Sequence, residues 1–117
     1  VEPFGPKKMV DMTIVSPCTG NTLSKIANGI VDTPVAMAVK STLRNHRPVL
    51  LAVSTNDGLG IGARTLGALM AMRGIYFVPF GQDDPIKKPQ SLVAHFDRLV
   101  DAARAALNGE QLQPLLI

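Results

Sequence analysis

Tryptophan is absent from this chain, tyrosine and cysteine occur once each, and histidine occurs twice. A single cysteine, Cys18, rules out an internal disulfide framework and any zinc site built from several thiolates. It suits a reducing, cytoplasmic compartment. The histidines, His46 and His95, are isolated in sequence and form no metal-ligand motif, so no metal is expected. Aromatics make up only 4% of residues, and the 12 basic side chains are scattered, adjacent only at Lys7-Lys8 and Lys87-Lys88. A net charge of +3 therefore comes without the basic stripe and stacking rings that mark a nucleic-acid surface. No apolar run reaches the roughly 18 residues a membrane-crossing helix needs. Internal repeats and low-complexity tracts are also lacking. What remains is a chain with 46% hydrophobic residues, enough to build an ordered core, and its length reads as one domain over residues 1–117.

The apolar, partly β-branched residues 9–15 read as a buried strand. Leu23, Ile26, Ala27 and Ile30 then repeat at i, i+3, i+4 and i+7, one face of a helix that Gly29 weakens at its end. Thr33 as N-cap and Pro34 at the first helical position start a second helix, which the Asn45–Pro48 stretch ends. Residues 49–53 read as a second buried strand, 54–62 as a polar, glycine-rich connection, 63–73 as a helix closed by Gly74, and 75–78 as a third strand. Residues 81–90 form a loop of acids, lysines and prolines. Ser91 reads as the cap of a last helix carrying Leu92, His95, Leu99 and Ala103 at helical spacing and ending at Asn108-Gly109. Apolar strands alternating with helices imply a three-layer α/β fold, a parallel sheet with helices on both faces. Ligands in such sheets sit at the carboxyl ends of strands. Three polar segments fall there, at residues 16–22, 54–60 and 79–85.

The first of these, Ser16-Pro17-Cys18-Thr19-Gly20-Asn21-Thr22, joins a strand to a helix N-terminus. Backbone N–H groups and the positive end of the helix dipole converge at such a point, with Ser16, Thr19, Asn21 and Thr22 as added donors. The turn reads either as a site for a phosphate or carboxylate or as a plain helix cap formed by Thr19 or Asn21. Gly58-Leu59-Gly60-Ile61-Gly62-Ala63 fits G-x-G-x-x-A after a strand, and Asp83 falls near the place of a ribose-binding acid. Four residues between Val53 and Gly58 are too many for that tight turn, so a flexible turn or lid is the alternative. Cys18, with no base nearby in sequence, reads as a packing residue rather than a nucleophile. His46 reads as solvated and His95 as a core histidine. Asp57 is either a substrate contact or part of ordinary Asn-Asp-Gly turn chemistry. Asp83 and Asp84 are catalytic, or order their proline-stiffened loop, or meet a basic residue of another subunit. The tail, Leu112 to Ile117, is apolar enough to dock on its own sheet or on a second subunit.

Residues 16–22, with Lys25, Ala27-Asn28-Gly29 and Asp32, resemble the Pro-Ala-Ser-Ala-Asn-Thr region of the flavoprotein family, which includes FMN-binding cysteine decarboxylases and flavin prenyltransferases. Residues 40–45, 54–60, 75–89 and 111–117 more closely resemble the dipicolinate-forming branch from spore-forming bacteria. The resemblance covers nearly the whole chain and implies a flavodoxin-like, Rossmann-like fold. It implies FMN as a cofactor, lined by Thr19, Gly20, Asn21 and Thr22, with Ser16 in the same motif and Thr55 and Asn56 in a second flavin-contacting segment. It further implies a contribution to NAD(P)-linked oxidation of dihydrodipicolinate during sporulation, in an oligomer with a dehydrogenase-like A subunit that brings NADP. An independent FMN-dependent decarboxylase or prenyltransferase-like enzyme, and a non-catalytic assembly subunit, are the alternatives. Cys18, Thr19 and Gly20 replace the Ala and Ser of the decarboxylases, which argues against decarboxylation. Relatives carry an earlier strand–turn–helix unit with a Gly-Ser loop on the flavin phosphate, so this chain is expected to be the C-terminal part of such a protein.

Overall fold

The computed structural model describes residues 11–117. The elements run β1 (Thr13–Cys18), α1 (Gly20–Ala27), α2 (Pro34–Arg44), β2 (Val49–Thr55), α3 (Gly62–Met70), β3 (Ile75–Phe77), β4 (Phe80–Gly81), β5 (Leu92–Ala94) and α4 (Leu99–Leu107), with a 3₁₀ turn at Phe96–Arg98 leading into α4. The sheet is mixed. β1, β2 and β3 are parallel neighbours, in register at Thr13, Val49 and Ile75. β5 runs antiparallel to both β2 and β4. β3 and β4 form a nearly continuous strand that leaves β2 after Val78, whose N–H still donates to Leu51 O at 3.0 Å, and β5 pairs with both β2 and β4.

Alternation along β2 builds the layers. Val49, Leu51 and Val53 point to one face, where they meet Leu23 and Ile26 of α1, Val39 of α2 and Leu66 and Leu69 of α3. Leu50 and Ala52 point to the other, where Ala102 of α4 packs with Leu99 and Ala103. All five of those β2 side chains are fully buried, because β2 has strands on both sides and helices on both faces. Helices on both faces of a sheet of this kind are the architecture the sequence implied.

Local chemistry sets the helix ends. Thr33 Oγ1 accepts the Ala36 N–H at 3.1 Å, and Pro34 opens α2, as expected. Three helices end on the same backbone pattern. In α1, Gly29 N–H donates to Ile26 O and Ile30 N–H to Lys25 O; α2 repeats this with His46 to Leu43 and Arg47 to Thr42, and α4 with Gly109 to Ala106 and Glu110 to Ala105. The residue at the turn has positive φ each time: Gly29 at 68°, His46 at 60°, Gly109 at 75°.

Several expectations need correction. β1 begins at Thr13 and runs through Ser16, Pro17 and Cys18, which the sequence pattern places in the turn; the expected start at Met9-Val10 lies outside the described residues. Only Val15 and Cys18 of β1 are buried, since β1 pairs with β2 along one edge alone among the described residues. Between Val15 and Cys18 the register slips, three steps on β1 matching two on β2. Pro17, which has no N–H to offer, sits inside that bulge. The sheet is not parallel throughout, because β4 and β5 add antiparallel pairs. The last helix does not start at Ser91. Leu92–Ala94 is a strand, drawn in by the free hydrogen-bonding groups of the diverging β2 and β4. Ser91 is instead buried, with its hydroxyl oxygen 3.2 Å from Thr55 O. His95 is exposed ahead of the 3₁₀ turn, not in a core.

Candidate functional site

Two of the three polar segments meet. The N-terminus of α1 packs against the carboxyl end of β2 so closely that a Cβ on Gly20 would lie 2.9 Å from Thr55 Oγ1 and 3.5 Å from Asp57 Oδ1. Thr55 Oγ1 donates to Asp57 Oδ1 at 2.7 Å, which fixes that carboxylate at the end of the strand. Between α1 and α3 lies a cavity of about 150 Å³, lined by Gly20 and Ser24 of α1, Thr55 and Asp57, and Ile61, Gly62 and Thr65 at the start of α3. Hydroxyls and one carboxylate face an apolar floor of Leu23 and Leu66.

The remaining expected residues, Ser16, Thr19, Asn21, Thr22 and Asn56, do not line this cavity. Thr19 is the N-cap of α1: its Oγ1 accepts the Thr22 N–H at a long 3.4 Å and lies 3.4 Å from the Thr22 hydroxyl. The cap reading of this turn therefore holds, which leaves its reading as an anion site to be argued on other grounds. Asn21 and Asn56 are exposed, and so is Ser16, which lines an open groove beside Ile14 and Val35 on the outer side of β1. Lys25 on α1 is held by Asp32 at 2.9 Å, an ion pair that keeps the Asp32 carboxyl below its ordinary value.

Cys18 is fully buried, and burial pushes its thiol up to about 12. A thiolate is the reactive form, so this position is a packing residue, as its lack of a base implied. The glycines at 58, 60 and 62 serve close approach rather than a pyrophosphate. A Cβ on Gly58 would strike Leu92, one on Gly60 the Gln90 side chain, and one on Gly62 the Asp57 carbonyl. That carbonyl accepts from both Gly60 N–H (2.9 Å) and Gly62 N–H (3.0 Å), and Leu59 N–H donates to Gln90 O at 2.9 Å. The segment is thus a tied, packed turn, neither the tight fingerprint turn nor a flexible lid.

The third segment stays outside the cavity. Asp84 Oδ1 accepts the Lys87 N–H at 3.1 Å, and Asp83 lies 3.9 Å from Lys88 Nζ. The Ser91 hydroxyl, with Lys88 as a weaker contributor, holds the Asp83 carboxyl below its usual range. Both acids therefore order their own loop. Ser24, Thr65 and Ile61 escape a reading of the sequence by motif. Gly20 and Ser24 on α1, and Ile61 at the N-cap of α3 and Thr65 within it, are each four apart, so helical spacing was the signal. Among the described residues no three His, Cys, Asp or Glu side chains gather to hold a metal.

A family model described as Flavoprotein matches residues 3–100. The chain belongs to the Flavoprotein family. This flavoprotein chain is 52% identical over 116 residues to the B subunit of dipicolinate synthase from Bacillus subtilis (strain 168), a match that covers 99% of this chain and 58% of that protein. The crystal structure of the dipicolinate synthase B subunit from Bacillus halodurans superposes with a TM-score of 0.96 at 52% identity, covering 99% of this chain and 60% of that one. A shorter stretch of 42 residues is 50% identical to the coenzyme A biosynthesis bifunctional protein CoaBC of Thermococcus kodakarensis, 36% of this chain and 10% of that protein. The flavoprotein chain spans about three-fifths the length of these two Bacillus relatives.

The residues present fit part of a flavin nucleotide. The first N–H groups of α1 have no intrahelical acceptor and suit a phosphate at the helix N-terminus. The adjoining cavity, at about 150 Å³, is half the roughly 300 Å³ of the smallest cofactor pockets, so the described residues do not enclose a ring system. Its Asp57 carboxylate, moreover, accepts hydrogen bonds and repels an anion. The two halves of the site are therefore chemically distinct: donors at the α1 N-terminus, an acceptor at the end of β2.

Proposed function

We propose that this chain is the C-terminal part of a dipicolinate synthase B subunit. In this reading it is a cytoplasmic, FMN-associated oligomer that works with a dehydrogenase-like A subunit in the NAD(P)-linked oxidation of dihydrodipicolinate to dipicolinate during sporulation. The observation that carries the reading is 52% identity sustained over 116 residues, with the fold matched to the same degree of coverage. FMN, when bound, supplies hydride or electron transfer. The roles of this chain's own side chains follow from their chemistry. Gly20, Asn21 and Thr22 present the α1 N-terminus to the phosphate, with Thr19 holding the helix cap and Ser16 and Asn56 flanking the approach. Thr55 orients Asp57 to accept a hydroxyl or ring N–H from the ligand.

Replacing Thr22 by Val is expected to weaken FMN binding by about 1–3 kcal/mol, because a hydrogen bond to a charged group is lost. Titration of FMN into the full-length wild type and variant measures this, and equal affinities sink the phosphate assignment. Oxidation of dihydrodipicolinate by the protein co-purified with its A subunit tests the activity.

The small cavity favours a second reading, a non-catalytic subunit that positions its partner. A visible spectrum of the purified full-length protein separates the two, a flavin band supporting the first and a colourless protein the second.

A further inference from the structure

A larger cavity opens at the other end of the sheet, away from the site described above. It measures about 530 Å³ and is lined by Asp11, Leu43, His46, Arg47, Arg73 and Tyr76 together with neighbouring backbone. That volume falls within the roughly 300–1,000 Å³ of small-molecule sites.

Strand register explains how its charges come together. Thr13, Val49 and Ile75 are partners across β1, β2 and β3. Asp11, Arg47 and Arg73 each stand two residues ahead of these partners, in the segments that lead into three adjacent parallel strands, and all three line the cavity. The loops bearing them are tied, Thr13 N–H to Pro48 O at 3.2 Å and Val49 N–H to Gly74 O at 2.8 Å. Arg47 follows a helix end whose backbone is fixed by the His46 and Arg47 N–H bonds to Leu43 O and Thr42 O. Two arginines and one aspartate thus line one cavity, and cations gathered at one site repel less when an anion joins them. Among the described residues the ion pairs are Lys25–Asp32 and Asp83–Lys88, both elsewhere.

The geometry points to a binding site for a small dianion, with its oxyanion oxygens held between Arg47 and Arg73 and its carbon body against Tyr76 and Leu43. Guanidinium forks match phosphate and carboxylate oxygens two at a time, and two cations against one carboxylate leave the balance positive. The site does not depend on flavin binding. Its ligand is a phosphate monoester or a dicarboxylate, which share this chemistry.

Calorimetric titration of the full-length protein with inorganic phosphate and, separately, with malonate, both at constant ionic strength in chloride, tests the site. Binding of at least one is expected. Arg47→Ala and Arg73→Ala are each expected to weaken it about tenfold, as loss of one charge-assisted contact does. Arg64→Ala, on α3 outside the cavity, should leave it unchanged. Tighter phosphate binding identifies a phosphoryl ligand, tighter malonate binding a dicarboxylate. Both arginines are exposed, so the variants should retain the fold, and thermal melts verify that. No binding of either anion by wild type, or equal losses in all three variants, overturns the proposal.

Discussion

His46 is the non-glycine residue with positive φ among the described residues, and it occupies the turn position that glycine holds after α1 and α4. A side chain in that left-handed conformation costs about 1 kcal/mol or more, part of which glycine would give back as unfolded-state freedom. His46→Gly is therefore expected to stabilise the fold by about 0.5–1 kcal/mol, read as a higher denaturant midpoint. An unchanged or lower midpoint shows that the imidazole makes a compensating contact. Cys18 makes an opposite statement about pH. Its folded-state pKa, about 12, lies above the unfolded value of 9.0. Between those values the unfolded chain releases a proton that the folded chain keeps, so stability falls as pH rises from about 9 toward 12. Cys18→Ala should flatten this decline. Denaturant melts one pH unit above the unfolded value, compared with melts below it, should show a loss about 1.4 kcal/mol smaller in the variant. If both proteins lose the same stability, other groups carry the slope.

Among the elements, the outer edge of β3 and β4 shows how the C-terminal segment is used. Gln111 accepts the Phe77 N–H at 2.8 Å and donates to Phe77 O at 2.7 Å, so one side-chain amide takes the place of a neighbouring strand. Beyond it, Phe80 N–H donates to Leu115 O and Ile117 N–H to Phe80 O. The tail docks on its own sheet, one of the two places expected for it. Gln111→Ala should cost about 1–3 kcal/mol by leaving a strand N–H and C=O without partners. Urea unfolding checks this, and a loss near zero means water replaces the amide. These contacts mark the limit of what sequence discloses. α2 was legible because Thr33, Pro34 and Pro48 act within a few residues. β5 was not, because Leu92, His95, Leu99 and Ala103 imitate helical spacing, while the strand exists only where β2 and β4 part. The meeting of Gly20 with Thr55 was legible in outline, since both lie at carboxyl ends of neighbouring strands. The Arg47–Arg73 pair was not, because it depends on strand register.

At the scale of the whole molecule, the carboxyl end of the sheet combines a small cavity with a loop that orders itself. Asp83 and Asp84 bond within residues 83–91 and line no part of the cavity. Asp83 is held below its usual pKa, so its contribution to loop order is present above the ordinary carboxylate value and fades as pH falls through the lowered one. Asp83→Asn with Asp84→Asn is expected to speed tryptic cutting after Lys87 and to leave FMN affinity nearly unchanged. Should the titration collapse while cutting stays slow, the loop belongs to the binding site.

The close seating of the tail bears on how the protein is handled. A Cβ on Gly81 would run into the Ile117 carbonyl, so Ile117 is wedged against a position that tolerates no side chain. An affinity tag fused after Ile117 would start from this wedge, next to β4, and its bulk would lever Leu115 out of the core cluster it packs against.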